Sequence, residues 1–189
     1  MEAILKREII LNKTICRLLG ALAFVIFTSL GAFVRIPLPF TPVPLSLQTF
    51  FVLLSGAFLG RKLGAASQLG YVLLGIAGIP VFSGAGSGVF YLLGPTGGYL
   101  FGFILSAFLI GRLITRAKNN FISVFVILLL ADAALFACGI LWLKVLLGYP
   151  LGQLLSLGVI PFIPGDLLKI SAASVLYVRF GRRIREIFY

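Results

Sequence analysis

The chain has no histidine, only two cysteines, one methionine and one tryptophan, and five acidic residues in a length of 189. Each shortage closes a class of chemistry. Without imidazole there is no histidine general base and no histidine ligand for haem or zinc. Cys16 and Cys138 lie at or inside apolar runs, where a free cysteine acts as a small packing residue. No Gly-x-x-x-x-Gly-Lys phosphate loop is present, so nucleotide hydrolysis is not expected here. Charged residues make up 11%, where a soluble domain carries about a quarter. No catalytic residue, metal ligand or cofactor is therefore expected, and no separate soluble domain.

What is abundant is apolar. Hydrophobic residues are 60% of the chain and the mean hydropathy is +1.15. A spanning helix needs roughly 20 such residues. The pattern predicts an all-α membrane protein, a single compact bundle over residues 1–189. Six spans are expected: Leu18 to Val34, Leu45 to Gly60, Leu63 to Ile79, Val89 to Leu113, Phe121 to Leu147 and Gln153 to Val178. The second and third should form a tight helical hairpin. The basic N-terminal segment resembles a signal peptide in pattern, and an uncleaved first span is the preferred reading.

The net charge of +11 sorts by side. Lys6, Arg7, Lys13, Arg17, Arg61, Lys62, Arg112, Arg116, Lys118, Arg179, Arg182, Arg183 and Arg185 fall on one side, which is 13 of 16 basic residues. Arg35 and Lys144 fall on the other, and Lys169 lies within the sixth span. Such asymmetry marks the cytoplasmic face. Both termini are expected inside, in the plasma membrane, and nucleic acid is not an expected partner. Gly56-x-x-x-Gly60 and the ladder Gly94, Gly98, Gly102 provide small faces for close helix contact in lipid.

Ionisable residues within spans are costly, about 2.5–3.5 kcal/mol each on insertion scales, so they need a partner, a cavity or a ligand. Here they are Asp132, Asp166 and Lys169. Asp166 and Lys169 stand three apart on one helix face. Two readings fit them: a mutual salt bridge, or a polar patch for opposite ends of a ligand. Capping of a helix start after Pro161 and Pro164 is a third reading for Asp166. Asp132 has no assignment beyond a buried partner for some basic residue.

Two outer loops stand out. Arg35 to Gln48 holds Pro37, Pro39, Pro42 and Pro44, which forbid regular helix and favour an extended, apolar lid or pocket wall. The second, Gly78 to Tyr99, carries Gly84, Gly86 and Gly88 and no charge. It favours a neutral hydrogen-bonding ligand group over a phosphate.

The stretches Pro42-Val-Pro-Leu-Ser-Leu-Gln48, Gly78-Ile-Pro-Val-Phe82, Gly94-Pro-Thr-Gly-Gly-Tyr99 and Pro161-Phe-Ile-Pro-Gly-Asp-Leu-Leu-Lys169 carry a resemblance. In order and spacing they are similar to the BioY family, the biotin-specific substrate-capture (S) components of energy-coupling factor (ECF) transporters. The resemblance covers roughly residues 18–180. It implies a six-helix S component that binds biotin from outside. The implied partners are a transmembrane coupling protein, two ATPase subunits and the lipid bilayer.

The implied binding residues are Gln48, Phe82, Ser83, Gly84, Gly86, Thr96, Tyr99, Asp166 and Lys169. Lys169 is the candidate cation for the valerate carboxylate. Asp166 and Gln48 face the ureido ring, and Phe82 and Tyr99 serve as apolar wall. Some family members carry an arginine in the glycine loop. This chain has Ser83-Gly-Ala-Gly-Ser-Gly88 there, which leaves Arg35 as the substitute second cation. Alternatives are an S component for another vitamin, or an intramembrane enzyme using Asp132 or Asp166. A coupling surface is sketched by Cys16/Gly20 and Thr28/Ala32, whose small-residue spacing equally suits packing inside the bundle.

Overall fold

The computed structural model describes residues 2–188. The side chains of residues 2–12, 182, 186 and 187 lie outside the described residues, among them Lys6, Arg7 and Arg182 of the charge count. The elements are α1 (Glu2–Phe33), β1 (Arg35–Ile36), β2 (Leu45–Ser46), α2 (Gln48–Ile76) and α3 (Val89–Leu92). They continue with α4 (Gly97–Leu113), a 3-10 turn (Ile114–Arg116), α5 (Phe121–Leu147), α6 (Leu151–Gly158) and α7 (Ile163–Phe188).

Among the described residues, four stretches of helix are long and apolar enough to cross a membrane: Lys13–Phe33, Gln48–Ile76, Gly97–Arg116 and Phe121–Leu147. Leu151–Gly158 and Ile163–Gly181, bent by 54° where they meet, add a fifth if taken as one broken span. Many large apolar side chains remain exposed, including Leu22, Ile26 and Leu30 on α1 and Ile122, Leu141 and Val145 on α5. A monomer in water would not leave such faces uncovered, whereas lipid covers them without cost.

α2 is not a straight rod. At 1.5 Å per residue, 29 residues would span ~43 Å. Yet Gln48 hydrogen-bonds Tyr71, 23 positions later, and Gln68 reaches Ser55 at 3.1 Å. The reversal lies at Gly60 (φ 73°, ψ −175°), a conformation that L side chains rarely adopt. The two legs then close on each other: a methyl on Gly64 would stand 2.9 Å from Gly56 Cα. This is the helical hairpin expected from the sequence. The same close approach recurs between α4 and α5, where a methyl on Gly102 would stand 2.9 Å from the Leu135 carbonyl oxygen.

Three expected boundaries move. Leu45 and Ser46 are not helical; they form β2, paired antiparallel with β1 as Arg35↔Ser46 and Ile36↔Leu45. The prolines between them keep this segment extended. The expected span from Val89 is interrupted: α3 stops at Leu92 and α4 begins at Gly97, because Pro95 cannot continue a helix. The last span is broken around Pro161, and Pro164 sits in the first turn of α7, where its missing N–H costs nothing.

The core has two regions. One gathers Tyr71, Phe82, Tyr99, Phe103, Leu135 and Phe162 beneath the outer loops. The other gathers Phe24, Phe58, Ile110, Leu128, Ile170 and Tyr177. Buried Thr28, Ser55, Ser67 and Gln68 satisfy one another by hydrogen bonds. Thr28 and Ala32 are fully buried and Gly20 lies under the Phe188 ring. The small-residue face of α1 therefore packs inside the bundle, and the coupling-surface reading of those residues is not supported. Its opposite, large-residue face is the exposed one.

Candidate functional site

The site forms where α7, α2, α4, α5 and the β1–β2 loop converge. Pro164 and Gly165 bring the first turn of α7 against Leu45, and Asp166 follows, 4% exposed. Lys169, one turn on, donates to Asp166 Oδ1 at 2.6 Å and to Thr49 Oγ1 at 2.8 Å. The Thr49 hydroxyl donates to the same carboxylate oxygen at 3.2 Å. The three side chains make one closed polar node. No backbone N–H cap involves the Asp166 side chain among the described bonds, so the capping reading gives way to the salt bridge. Both partners are largely desolvated, with side chains 12% and 5% exposed, and such a pair is sensitive to loss of either member.

The node borders a cavity of about 50 Å³. Gln48, Ser83, Tyr91, Thr96, Tyr99 and Phe136 are among its other walls. This volume suits a few waters. A ligand larger than this would extend toward the outer loops. A second cavity of about 270 Å³ lies outside it and shares Pro44, Ser83, Tyr91 and Thr96 with the first. Arg35 and Pro42 also line this vestibule. Together the two describe a route from the β1–β2 loop down to Asp166 and Lys169.

Of the expected binding residues, Gln48, Ser83, Thr96, Tyr99, Asp166 and Lys169 all line the inner cavity. The Gln48 amide donates to the Tyr71 hydroxyl at 2.5 Å and accepts from Ser46 at 3.0 Å. It retains one N–H and one lone pair for a ligand. Ser83 has a buried hydroxyl with no partner among the described residues. A buried unpaired polar atom in a cavity wall is a vacant hydrogen-bonding position. Tyr99 lines the cavity with its ring while its hydroxyl donates to Gly158 O at 2.8 Å, tying α4 to the end of α6.

Phe82, Gly84 and Gly86 do not line the cavity. Phe82 is fully buried behind it, seated on Gly75, stacked on Tyr91 at 4.9 Å and edge-on to Tyr71 at 5.6 Å. Its N–H donates to Gly86 O at 3.0 Å, closing the glycine loop. These residues hold the loop in shape, and Tyr91 is the ring that reaches the cavity. Gly84 lies beneath the Arg35 guanidinium, where a methyl would stand 2.5 Å from Nη1. The loop's glycines thus make room for a cation from the other loop. Thr49, Tyr91, Phe103, Leu135 and Phe136 were not anticipated. None of them has a signature in the sequence; Thr49 enters the polar node only because α7 lies against α2.

Asp132 is 4% exposed and its Oδ1 has no hydrogen-bond partner among the described residues. With Asp166 it borders an apolar groove of about 450 Å³ between α5, α6 and α7. Among the described residues no basic side chain lines that groove, so the expected basic partner of Asp132 is not found there.

A family model described as the BioY family matches residues 6–186. The chain belongs to the BioY family. Among curated relatives, the biotin transporter BioY of Thermotoga maritima is 41% identical over 160 residues, covering 83% of this chain and 92% of the relative. The biotin transporter BioY of Lactococcus lactis is 34% identical over 169 residues, covering 87% and 86%. The crystal structure of the S-component for biotin from an ECF-type ABC transporter superposes with a TM-score of 0.85 at 29% identity. It covers 94% of this chain and 98% of that one.

Proposed function

We propose that this chain is the biotin-capturing S component of an ECF-type transporter and not an enzyme. Membership of a family whose relatives carry the name biotin transporter supports this reading, as does the likeness to a biotin S component. The observation from the site that carries it is the Asp166–Lys169–Thr49 node at the floor of an otherwise apolar cavity. A neutral ureido ring presents N–H donors beside a carbonyl acceptor. The node presents a carboxylate acceptor beside an ammonium donor, with no net charge. The two match edge to edge.

The carboxylate of biotin then goes elsewhere. Lys169 is already paired with Asp166, so a second carboxylate placed on that ammonium gains an attraction that repulsion from Asp166, about 4 kcal/mol at ~4 Å and an effective dielectric constant of 20, largely cancels. Arg35 stands in the outer vestibule with no ion-pair partner among the described residues. We therefore assign the ureido ring to Asp166 and Lys169, with Gln48 and Ser83 beside it. The valerate points up past Tyr91 and Thr96, and its carboxylate lies near Arg35. This reverses the assignment of Lys169 that the resemblance suggested. The inner cavity of about 50 Å³ takes the ring end, and the rest of the molecule extends into the outer vestibule.

The membrane topology goes with this function. Counting the two legs of α2 separately and α6–α7 as one broken span makes six spans. With the arginine-rich ends inside, the vestibule opens outward and both termini are cytoplasmic. ATP-driven release would require a coupling protein and two ATPases as separate subunits. Mass spectrometry of small molecules extracted from the purified chain tests the substrate. Biotin is expected, and a different vitamin held stoichiometrically would end the biotin assignment while leaving the S-component reading intact.

A further inference from the structure

At the far end of the bundle from the biotin cavity, four arginines line one open cavity of about 480 Å³: Arg61, Arg112, Arg116 and Arg185. Three elements bring them there. Gly111 has no side chain, so the backbone of Gly60 and Arg61 at the hairpin tip lies flush on α4. Arg112 and Arg116 follow at the end of α4 and in the 3-10 turn. Arg185 comes from the last turn of α7. It lies 19 residues beyond Asp166, or ~28 Å along the helix, which is about one hydrocarbon thickness. The cavity thus sits at headgroup level on the opposite face.

Positive charge at a membrane face is ordinary, and one basic residue at the end of α4 complements its helix dipole. Neither reason accounts for convergence of four. Arg61, Arg112 and Arg116 are exposed around the cavity, while Arg185 Nε is buried with no hydrogen-bond partner among the described residues. Among the described residues none of the four has an acidic partner; the one salt bridge is Asp166–Lys169. Arg112 adjoins the exposed apolar Leu113, as a group at the edge of the hydrocarbon region would.

We infer that this cavity binds the phosphate headgroup of an anionic phospholipid of the adjoining leaflet. Guanidinium forks suit phosphate oxygens, and each basic group near an anionic membrane surface contributes about a fivefold gain in affinity. The site holds the broken-hairpin tip, α4 and α7 in one arrangement through a shared ligand. It is independent of the biotin cavity.

The test is native mass spectrometry of the purified full chain with phosphatidylglycerol or phosphatidylcholine added at equal concentration. The wild type should retain phosphatidylglycerol with roughly tenfold or greater preference. The combined variant Arg61→Gln, Arg112→Gln, Arg116→Gln, Arg185→Gln should lose that preference while biotin binding is kept, which also reports that it folds. The corresponding four lysine substitutions should keep most of it. Equal retention of the two lipids by the wild type overturns the inference, as does preference that survives in the glutamine variant. Inorganic phosphate binding without any phosphatidylglycerol preference would mark a soluble-anion site and overturn the lipid assignment. Loss of partner-driven uptake in the glutamine variant with unchanged lipid preference would mark a protein-docking surface and do the same.

Discussion

Replacing Asp166 by asparagine separates two ways of holding biotin by the sign of its effect. If the ureido ring lies on the Asp166–Lys169 node, Asp166→Asn removes a charged acceptor from a buried hydrogen bond. Such a bond is worth about 1.5–3 kcal/mol. Biotin and biotin methyl ester should then both weaken, by roughly 10- to 150-fold, because the ester keeps the ring. If instead the carboxylate lies at Lys169, the substitution removes a repelling neighbour and frees the ammonium. The free acid should then bind more tightly, against repulsion of about 4 kcal/mol relieved at ~4 Å, while the ester changes little. Asparagine keeps the volume of the side chain and its contact with Thr49, which stands 3.2 Å from the carboxylate in the native chain. Calorimetric titration in detergent, one protein against both ligands, reads the outcome. Tighter binding of the free acid alone would refute the assignment of the ring to this node.

Further expectations follow from other parts of the structure. Arg35→Gln should weaken biotin by about tenfold and leave the methyl ester unchanged, read by the same titration; equal losses would remove Arg35 from the carboxylate. Gly111→Ala places a methyl against the backbone of Gly60 and Arg61, so thermal unfolding in detergent should show a loss of about 1–3 kcal/mol, and an unchanged midpoint would mean the hairpin tip yields freely. In a background of Cys16→Ser and Cys138→Ser, Ser87→Cys should react with an impermeant maleimide on intact cells and Lys118→Cys only after permeabilisation. The reverse pattern would invert the proposed topology.

The parts of the fold that were legible in the sequence are those fixed by backbone chemistry. Two short apolar runs joined by almost nothing but Arg61-Lys62 announced a helical hairpin, and Gly60, read from the sequence only as part of a packing face, makes it. Pro161 and Pro164 located the start of the last helix, and the spacing of Asp166 and Lys169 placed both on one face. Hydropathy could not see that Pro95 splits an apolar run into α3 and α4, because the run stays apolar through the break. Nor could it distinguish lining from support. Phe82 reads as a pocket wall until Gly75 is seen to lie beneath its ring, a contact set by the packing of α2 against a loop. Tyr91 and Phe136 carry no local signature; their place in the cavity depends on how α3 and α5 pack. Thr49 is an ordinary helix residue in sequence and becomes part of the polar node only when α7 lies against α2.

The central claim is that this cavity takes biotin. Titration calorimetry of the purified wild-type chain with biotin at micromolar protein tests it most directly. The account predicts saturable heat with one biotin per chain and a loss of binding in Lys169→Ala. No heat with active, folded protein, or heat that Lys169→Ala leaves unaltered, would contradict it.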